Sequence, residues 1–476
     1  MEDWKLDNLE QNIRQLVQEV VKNMNLNSEK NTKNNSTGVF SNLNNAVTAA
    51  DLAFHEFKKI SLETRINIIE NMRKASLENN VLLSKMAHEE TGMGRWEDKV
   101  IKNELGIFKT PGVEDIQPEA FSDDFGLTLV EKAPYGVIGS ITPSTNPIVT
   151  IICNAIGMIA AGNAVVFNPH PSAKKVSCHL VSILNKAIID AGGPANLLTC
   201  IDEPTIESAR ELMTHKKMAL LVVTGGPAVV RVAMNSGKKV IAAGPGNPPC
   251  VVDETADIAK AGKNIVDGAS FDNNVICICE KEIICVASVA DRLKEEMKKN
   301  GAYELNEDQI KQITSLIIAE AGGPGNEGAA NKKYVGKNAD YIAKDIGLNV
   351  PTSIRLLLCE VGREHPLVWT EQLMPVMPLV RVKDVDEAID LAVACEHGFR
   401  HTAIMHSLNI AKLSKMAKVM DCSIFIKNGP SYAGLGRGGA GFASFTIASP
   451  TGDGVTRART FTRERRCTVV DYFRII

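Results

Sequence analysis

The chain has 476 residues, 44% hydrophobic and 23% charged, with a formal net charge of −3. That length exceeds one compact core and predicts two or three domains. The near-neutral balance gives no electrostatic case for a nucleic acid or an anionic membrane as partner, and no apolar run reaches the roughly 18 residues that span a bilayer.

The N-terminus lacks the continuous apolar stretch of a secretory signal. Leu6, Leu9, Ile13, Leu16, Val17, Val20, Val21 and Met24 recur every three or four residues, with charges between them. The spacing predicts an amphipathic helix over residues 1–24. Residues 25–37, rich in Asn, Ser, Thr and Lys, read as a flexible linker. From Gly38 to about Pro111 the pattern is helical, including a stretch from Leu62 to Leu83. From Leu127 onward short apolar runs alternate with helical segments. Val137–Ile141, Ala164–Phe167, Leu197–Cys200 and Ala219–Val223 read as strands, with helices from Pro147 to Ala161 and from Ala173 to Ala191. Such alternation predicts a parallel sheet covered on both faces, binding its ligands beyond the carboxyl ends of the strands. A second α/β region is expected from about Ala256 to Pro430, with Glu282–Val286 its first clear strand. Leu127–Val130 and Cys467–Val470 are candidates for an extended arm.

The eleven cysteines lie between Cys153 and Cys467. Their odd count and irregular spacing indicate free thiols in a reducing compartment. Cys277 and Cys279 form a C-x-C, but no second Cys/His pair stands at zinc-ligand spacing, so no metal site is expected. If the segment is extended, both thiols point to one side, and spacing alone does not choose between them.

Three strand-end loops and one cysteine carry a recognisable pattern: Thr142-Pro143-Ser144-Thr145-Asn146-Pro147, Asn168-Pro169-His170-Pro171-Ser172, Thr224-Gly225-Gly226-Pro227, and Gly268 to Cys277 with its Asn273-Asn274 pair. Together with Glu90 to Arg95 and the tail from Phe461 to Ile475, they closely resemble the CoA-acylating branch of the aldehyde dehydrogenase superfamily, in particular the acetaldehyde and propionaldehyde dehydrogenases of bacterial microcompartments. The resemblance runs from Gly38 to Ile476. It implies an aldehyde dehydrogenase-like α/β fold with three parts. These are a doubly wound NAD-binding domain over 38–254, a catalytic α/β domain over 255–430, and a return segment over 431–476. The return segment joins residues near 120–133 in a small oligomerisation arm.

The resemblance selects Cys277 as nucleophile, because the family places it directly after Asn-Asn-x-x. A thiolate forms the tetrahedral adduct from which hydride leaves, and a thioester remains. The adduct's oxyanion needs preorganised donors. Most relatives carry Asn two residues after the first proline of the first loop; here Thr145 stands there and Asn146 follows, so Asn146 is assigned the role, its plain alternative being a turn residue before Pro147. Hydrolytic relatives carry a water-activating Glu where this chain has Ala242. Without that base the thioester should persist until CoA thiol attacks it.

For the cofactor, the resemblance places Thr142 and Pro143 near the nicotinamide, Asn168, His170 and Pro171 near the adenosine, and Gly225 and Gly226 beside the pyrophosphate. Relatives often carry Lys and Glu where Asn168 and Pro171 stand. Loss of that Glu removes a ribose contact and opens the pocket to CoA. Glu371 matches the family's nicotinamide-ribose carboxylate. Gly434 to Gly439 satisfies G-x-G-x-x-G but is rejected as a dinucleotide fingerprint, because no helix is expected after it. His397 and His401 are candidates for proton transfer or for a structural role.

The expected substrates are a short aldehyde, NAD and CoA, with propionaldehyde favoured over acetaldehyde and NAD over NADP. A dimer or tetramer is expected in the bacterial cytoplasm, within a microcompartment, with residues 1–24 docking on a shell or cargo protein. The competing readings are a hydrolytic aldehyde dehydrogenase releasing free acid and a non-catalytic scaffold component.

Overall fold

The computed structural model describes residues 37–476. The helix expected over residues 1–24 and residues 25–36 of the linker lie outside the described residues.

Short strands alternate with helices through the first half. Six of them form one parallel sheet in the order Val39–Phe40, Leu198–Ile201, Ala164–Pro169, Val137–Thr142, Met218–Thr224, Val240–Ala243. Val137–Thr142 and Ala164–Pro169 are buried at every residue, as a parallel sheet covered on both faces requires. From Val137–Thr142 the chain winds outward to Ala164–Pro169 and Leu198–Ile201. It then returns to place Met218–Thr224 on the other flank. This reversal of strand order opens a crevice between the carboxyl ends of Val137–Thr142 and Met218–Thr224.

The helix Pro147–Ala160 is buried along its whole length. Proline at its first turn costs no hydrogen bond, since that N–H has no partner within the helix. Each fully buried Ile on it contributes about 1.5–3 kcal/mol relative to an exposed one. The stretch from Leu62 to Leu83, expected as one helix, is two: Leu62–Glu78 and Asn80–Thr91. The break falls at Asn79, whose φ of −100° and ψ of 3° leave the helical region. The residues after Gly38 are not all helical either, because Val39–Phe40 adds a parallel edge to Leu198–Ile201.

A second parallel sheet has seven strands, in the order Ala302–Glu304, Leu356–Glu360, Val376–Val382, Glu282–Val286, Pro249–Val252, Thr402–His406, Ile424–Lys427. Its first strand is Pro249–Val252, not Glu282–Val286 as the sequence suggests. The chain therefore passes between sheets at 244–248, ahead of residue 255. The Pro248-Pro249 pair hides this strand, although proline is tolerated at a strand's first residue.

The third element is an antiparallel sheet of Glu119–Asp123, Gly126–Pro134 and Thr462–Val470. Leu129 faces Cys467 and Val130 faces Arg466. Thr462–Val470 forms an edge, exposed along most of its length. Among the described residues, no helix is long and apolar enough to cross a membrane.

Candidate active site

The loop that carries Cys277 departs from regular structure by design of its sequence. Asp272, Asn273 and Asn274 take left-handed conformations in succession, with φ of 48°, 53° and 67°. Such a conformation costs roughly 1–2 kcal/mol per non-glycine residue, and Asp and Asn bear it best because their short polar side chains bond nearby backbone. Here each is tied down. Asp272 accepts from the Arg95 N–H at 2.8 Å and from Lys99 Nζ at 3.0 Å, and pairs with Lys102. Asn273 Nδ2 donates to Gly336 O at 2.9 Å and to Asn338 Oδ1 at 2.6 Å. Asn274 Nδ2 donates to Ala269 O at 2.7 Å and Glu280 O at 2.9 Å. A buried ammonium completes the frame: Lys281 Nζ donates to the Asn274 side chain, to Asn274 O at 3.1 Å and to Ile276 O at 3.3 Å. Strain held by this many contacts marks a functional loop.

The loop closes in a turn, with the Cys279 N–H on Ile276 O at 3.1 Å. The 277–279 segment is thus not extended, and the turn separates the two thiols. Cys279 is 1% exposed and packs in the core, whereas Cys277 is partly open. Loss of hydration pushes the Cys277 thiol up to about 12; the Glu371 carboxylate adds to this, while the Lys281 and Lys102 ammonium groups oppose it. Glu371 is itself raised to about 7 by burial, against the pull of Lys281 and a hydrogen bond from the Gly246 backbone. A Cβ on Gly246 would stand 2.9 Å from the Cys277 carbonyl oxygen and 3.0 Å from the His401 ring. Only a glycine permits that approach without a shift of the loop.

Asn146 begins the helix Pro147–Ala160 but makes no side-chain cap to it. Its amide turns to the cysteine loop instead, with Nδ2 on Val275 O at 3.1 Å and on Thr145 Oγ1 at 3.2 Å. Lys102 Nζ donates to its Oδ1 at 2.7 Å. Burial pulls the Lys102 ammonium down to about 8 against the attraction of Asp272.

The remaining assigned residues gather along one edge of the six-stranded sheet. Thr142 ends its strand with Oγ1 buried and without a hydrogen-bond partner, and Pro143 follows half-buried. Asn168 is buried and accepts from Ser208 Oγ at 2.7 Å. His170 and Pro171 are exposed, and His170 Nδ1 accepts from the Ser172 N–H at 3.1 Å. The Gly225 N–H donates to Ala243 O at 3.3 Å, while Gly226 precedes the helix Pro227–Met234 with open space where a Cβ would project. Asn146 and Glu371 come to the cysteine, and Thr142, Pro143, Gly225 and Gly226 line the crevice. Asn168, His170 and Pro171 stand on the neighbouring strand end, without a bond to the cysteine loop.

Ala242 is buried in the last strand of this sheet, its N–H on Thr451 Oγ1 at 3.2 Å. No helix follows Gly434–Gly439; Gly436 closes a short 3-10 turn in the left-handed region. His397 Nε2 meets Trp369 O at 2.9 Å. His401 is buried with Nδ1 on the Thr402 hydroxyl at 2.8 Å, and burial, with Lys281, lowers it to about 3, so the ring is neutral. Sequence reasoning missed Lys102, Asp272, Gly246 and Lys281. The one available signal was three polar residues, Asp272-Asn273-Asn274, and a charged run, Glu280-Lys281-Glu282, bracketing an apolar stretch.

A model of the aldehyde dehydrogenase family matches residues 17–442. The chain belongs to that family. Among aldehyde dehydrogenases it is 52% identical over 447 residues to an acetylating acetaldehyde dehydrogenase of Bilophila wadsworthia, covering 92% of this chain and 91% of the relative. It is 48% identical to the CoA-propanoylating propanal dehydrogenase of Salmonella typhimurium, over 92% and 93% of the two chains. Among solved structures it matches the Rhodopseudomonas palustris propionaldehyde dehydrogenase with bound CoA and an acylated cysteine. That match has a TM-score of 0.89 and 51% identity, covering 92% of this chain and 99% of the other. A propionaldehyde dehydrogenase from the fucose-utilisation bacterial microcompartment of Clostridium phytofermentans matches with the same TM-score of 0.89 and 47% identity, over 92% and 100%.

Proposed function

We propose that this aldehyde dehydrogenase oxidises a short-chain aldehyde, propionaldehyde or acetaldehyde, to its acyl-CoA, through a thioester on Cys277. The observation that carries the reading is the Asn146 amide turned onto the cysteine loop, with Nδ2 on Val275 O at 3.1 Å, two residues before the partly open Cys277 thiol. The buried methyl of Ala242 supports it, because hydrolytic relatives hold a base there. The relatives named as acetylating and CoA-propanoylating, and the relative with bound CoA and an acylated cysteine, point the same way.

The crevice suits a dinucleotide. Thr142 Oγ1 is buried with a hydrogen-bonding capacity unused, and Gly226 leaves open space at a helix N-terminus, where backbone N–H groups favour an anion. When bound, NAD accepts hydride and CoA accepts the acyl group. The chain's own residues do the rest. Cys277 gives up its proton to solvent and its sulfur attacks the aldehyde carbon. Asn146 Nδ2 exchanges its bond to the Thr145 hydroxyl for one to the developing oxyanion. Once hydride has left, the thioester persists, because Ala242 stands where hydrolytic relatives hold the base that activates water. The Cys277 sulfur leaves as the CoA thioester forms, and regains its proton.

The oligomer is read from the arm. The exposed Thr462–Val470 edge, with Val470, Tyr472, Phe473, Ile475 and Ile476 all largely exposed, presents apolar surface and unpaired backbone suited to a second copy. Residues 1–24, with their apolar stripe, are assigned to docking on a microcompartment shell or cargo protein.

The test is NADH absorbance with propionaldehyde or acetaldehyde, NAD and enzyme, with and without CoA, followed by mass analysis of the product. CoA-dependent NADH and acyl-CoA are expected. Free acid as the product, formed equally well without CoA, would return the chain to the hydrolytic reading.

A further inference from the structure

We propose that Lys102 is a positioning residue for the reaction at Cys277: its ammonium, anchored on Asp272, fixes the Asn146 amide so that Nδ2 faces the cysteine loop. The inference rests on the reading of Asn146 as the oxyanion donor. An amide offers an oxygen and an NH2 group of nearly equal size, and its useful orientation must be enforced. An ammonium has three donors and no acceptor. Lys102 Nζ at 2.7 Å therefore admits only Oδ1 on its side, and Nδ2 is left for Val275 O and the site.

The ammonium needs its own anchor. Lys102 is 2% exposed and Asp272 is fully buried; their ion pair is reinforced by Lys99 Nζ at 3.0 Å and the Arg95 N–H at 2.8 Å. Asp272 also opens the left-handed run that leads to Cys277. One carboxylate thus sets both the cysteine loop and, through Lys102, the amide facing it. A salt bridge serving packing alone would gain nothing from the third partner. Buried ion pairs are in general weak contributors to stability compared with apolar replacements, so a role in orientation accounts for this one better than stability does.

The experiment is a double-mutant cycle on the full chain with propionaldehyde, NAD and CoA. Lys102→Met keeps the stem and removes the donor; with Asn146 present it should lower kcat by about 100-fold, the loss expected of a misplaced catalytic group, with KM for NAD and CoA nearly unchanged. In the Asn146→Ala background the same change should cost less than about twofold, because the amide it orients is gone. If Lys102→Met does not fold, Lys102→Arg serves: its longer guanidinium displaces the amide, and the same non-additivity is expected. Equal losses in both backgrounds, or a rise in KM with kcat intact, overturn the proposal while leaving the acylating function standing. A wild-type enzyme that forms no acyl-CoA overturns both.

Discussion

Gly246 and Cys277 meet backbone to backbone: a methyl group on the glycine would stand 2.9 Å from the Cys277 carbonyl oxygen, and the Gly246 N–H reaches the Glu371 carboxylate. One residue therefore spaces the nucleophile's loop from the carboxylate beside it. Gly246→Ala should displace the loop rather than be absorbed, since its neighbours are backbone and a buried ring. An overpacking cost of about 1–3 kcal/mol is expected, with a fall in kcat of about 10–100-fold from the shifted thiol. Denaturant unfolding and steady-state kinetics on the same preparation measure both. Unchanged kcat would show that the loop has room to move.

Cys277→Ala should abolish CoA-dependent NADH formation, a loss of several orders of magnitude, because the covalent route goes with the sulfur. Cys279→Ala should keep most of the activity and cost only about 1 kcal/mol of stability, as a small cavity in the core. A dead Cys279→Ala beside an active Cys277→Ala would reverse the assignment.

At rest the Cys277 thiol is protonated at neutral pH, being pushed up to about 12 by burial with Glu371 adding to it. Its alkylation by iodoacetamide should accordingly rise with pH from 7 to 10 without reaching a plateau. Glu371, raised to about 7, is ionised above that pH; Glu371→Gln removes its negative charge there, so alkylation at pH 8 to 10 should become faster. A plateau below pH 8 in the wild type would mean that the resting thiolate is already formed.

Glu280 is fully buried, with Oε1 on the Ser431 N–H at 2.9 Å and Oε2 without a partner, and burial raises it to about 7. A carboxyl raised on folding binds more protons in the folded state than in the unfolded one between about 4.5 and 7. Its contribution to stability is therefore complete below its unfolded value and lost as pH rises through about 7. Glu280→Gln stays neutral throughout. At pH 8 it should raise stability by about 2–3 kcal/mol, from the size of the shift, and flatten the decline between pH 5 and 8. Thermal melts across that range check it; a variant with an unaltered pH slope would place the titration elsewhere.

Much of the fold was legible because fully buried strands and covering helices write strong patterns. Val137–Thr142 and Ala164–Pro169 appear as uninterrupted apolar runs, and their loops mark the crevice. The missed strand Pro249–Val252 is the counterexample, since a four-residue strand that begins on the second of two prolines carries too little periodicity to separate from a turn. Asn79 likewise ends one helix and starts the next with no breaker stronger than a single Asn.

By itself the sequence determined the alternation of strand and helix, the family pattern, and the absence of a base at Ala242, because each is a property of neighbouring residues. It left Cys277 and Cys279 equivalent by spacing. The family pattern after Asn273-Asn274 favoured Cys277, and the tertiary structure adds the physical difference, a turn from Ile276 to Cys279 that buries one thiol and leaves the other partly open. The same holds for Lys102, Asn146 and Asp272. They lie 44 and 170 positions from one another along the chain as hydrogen-bonded pairs, and a buried charge network at such separations exists only once helix, strand-end loop and cysteine loop have packed together. Local pattern encodes elements, whereas the orientation of an amide or the hydration of a thiol depends on what other elements bring beside it.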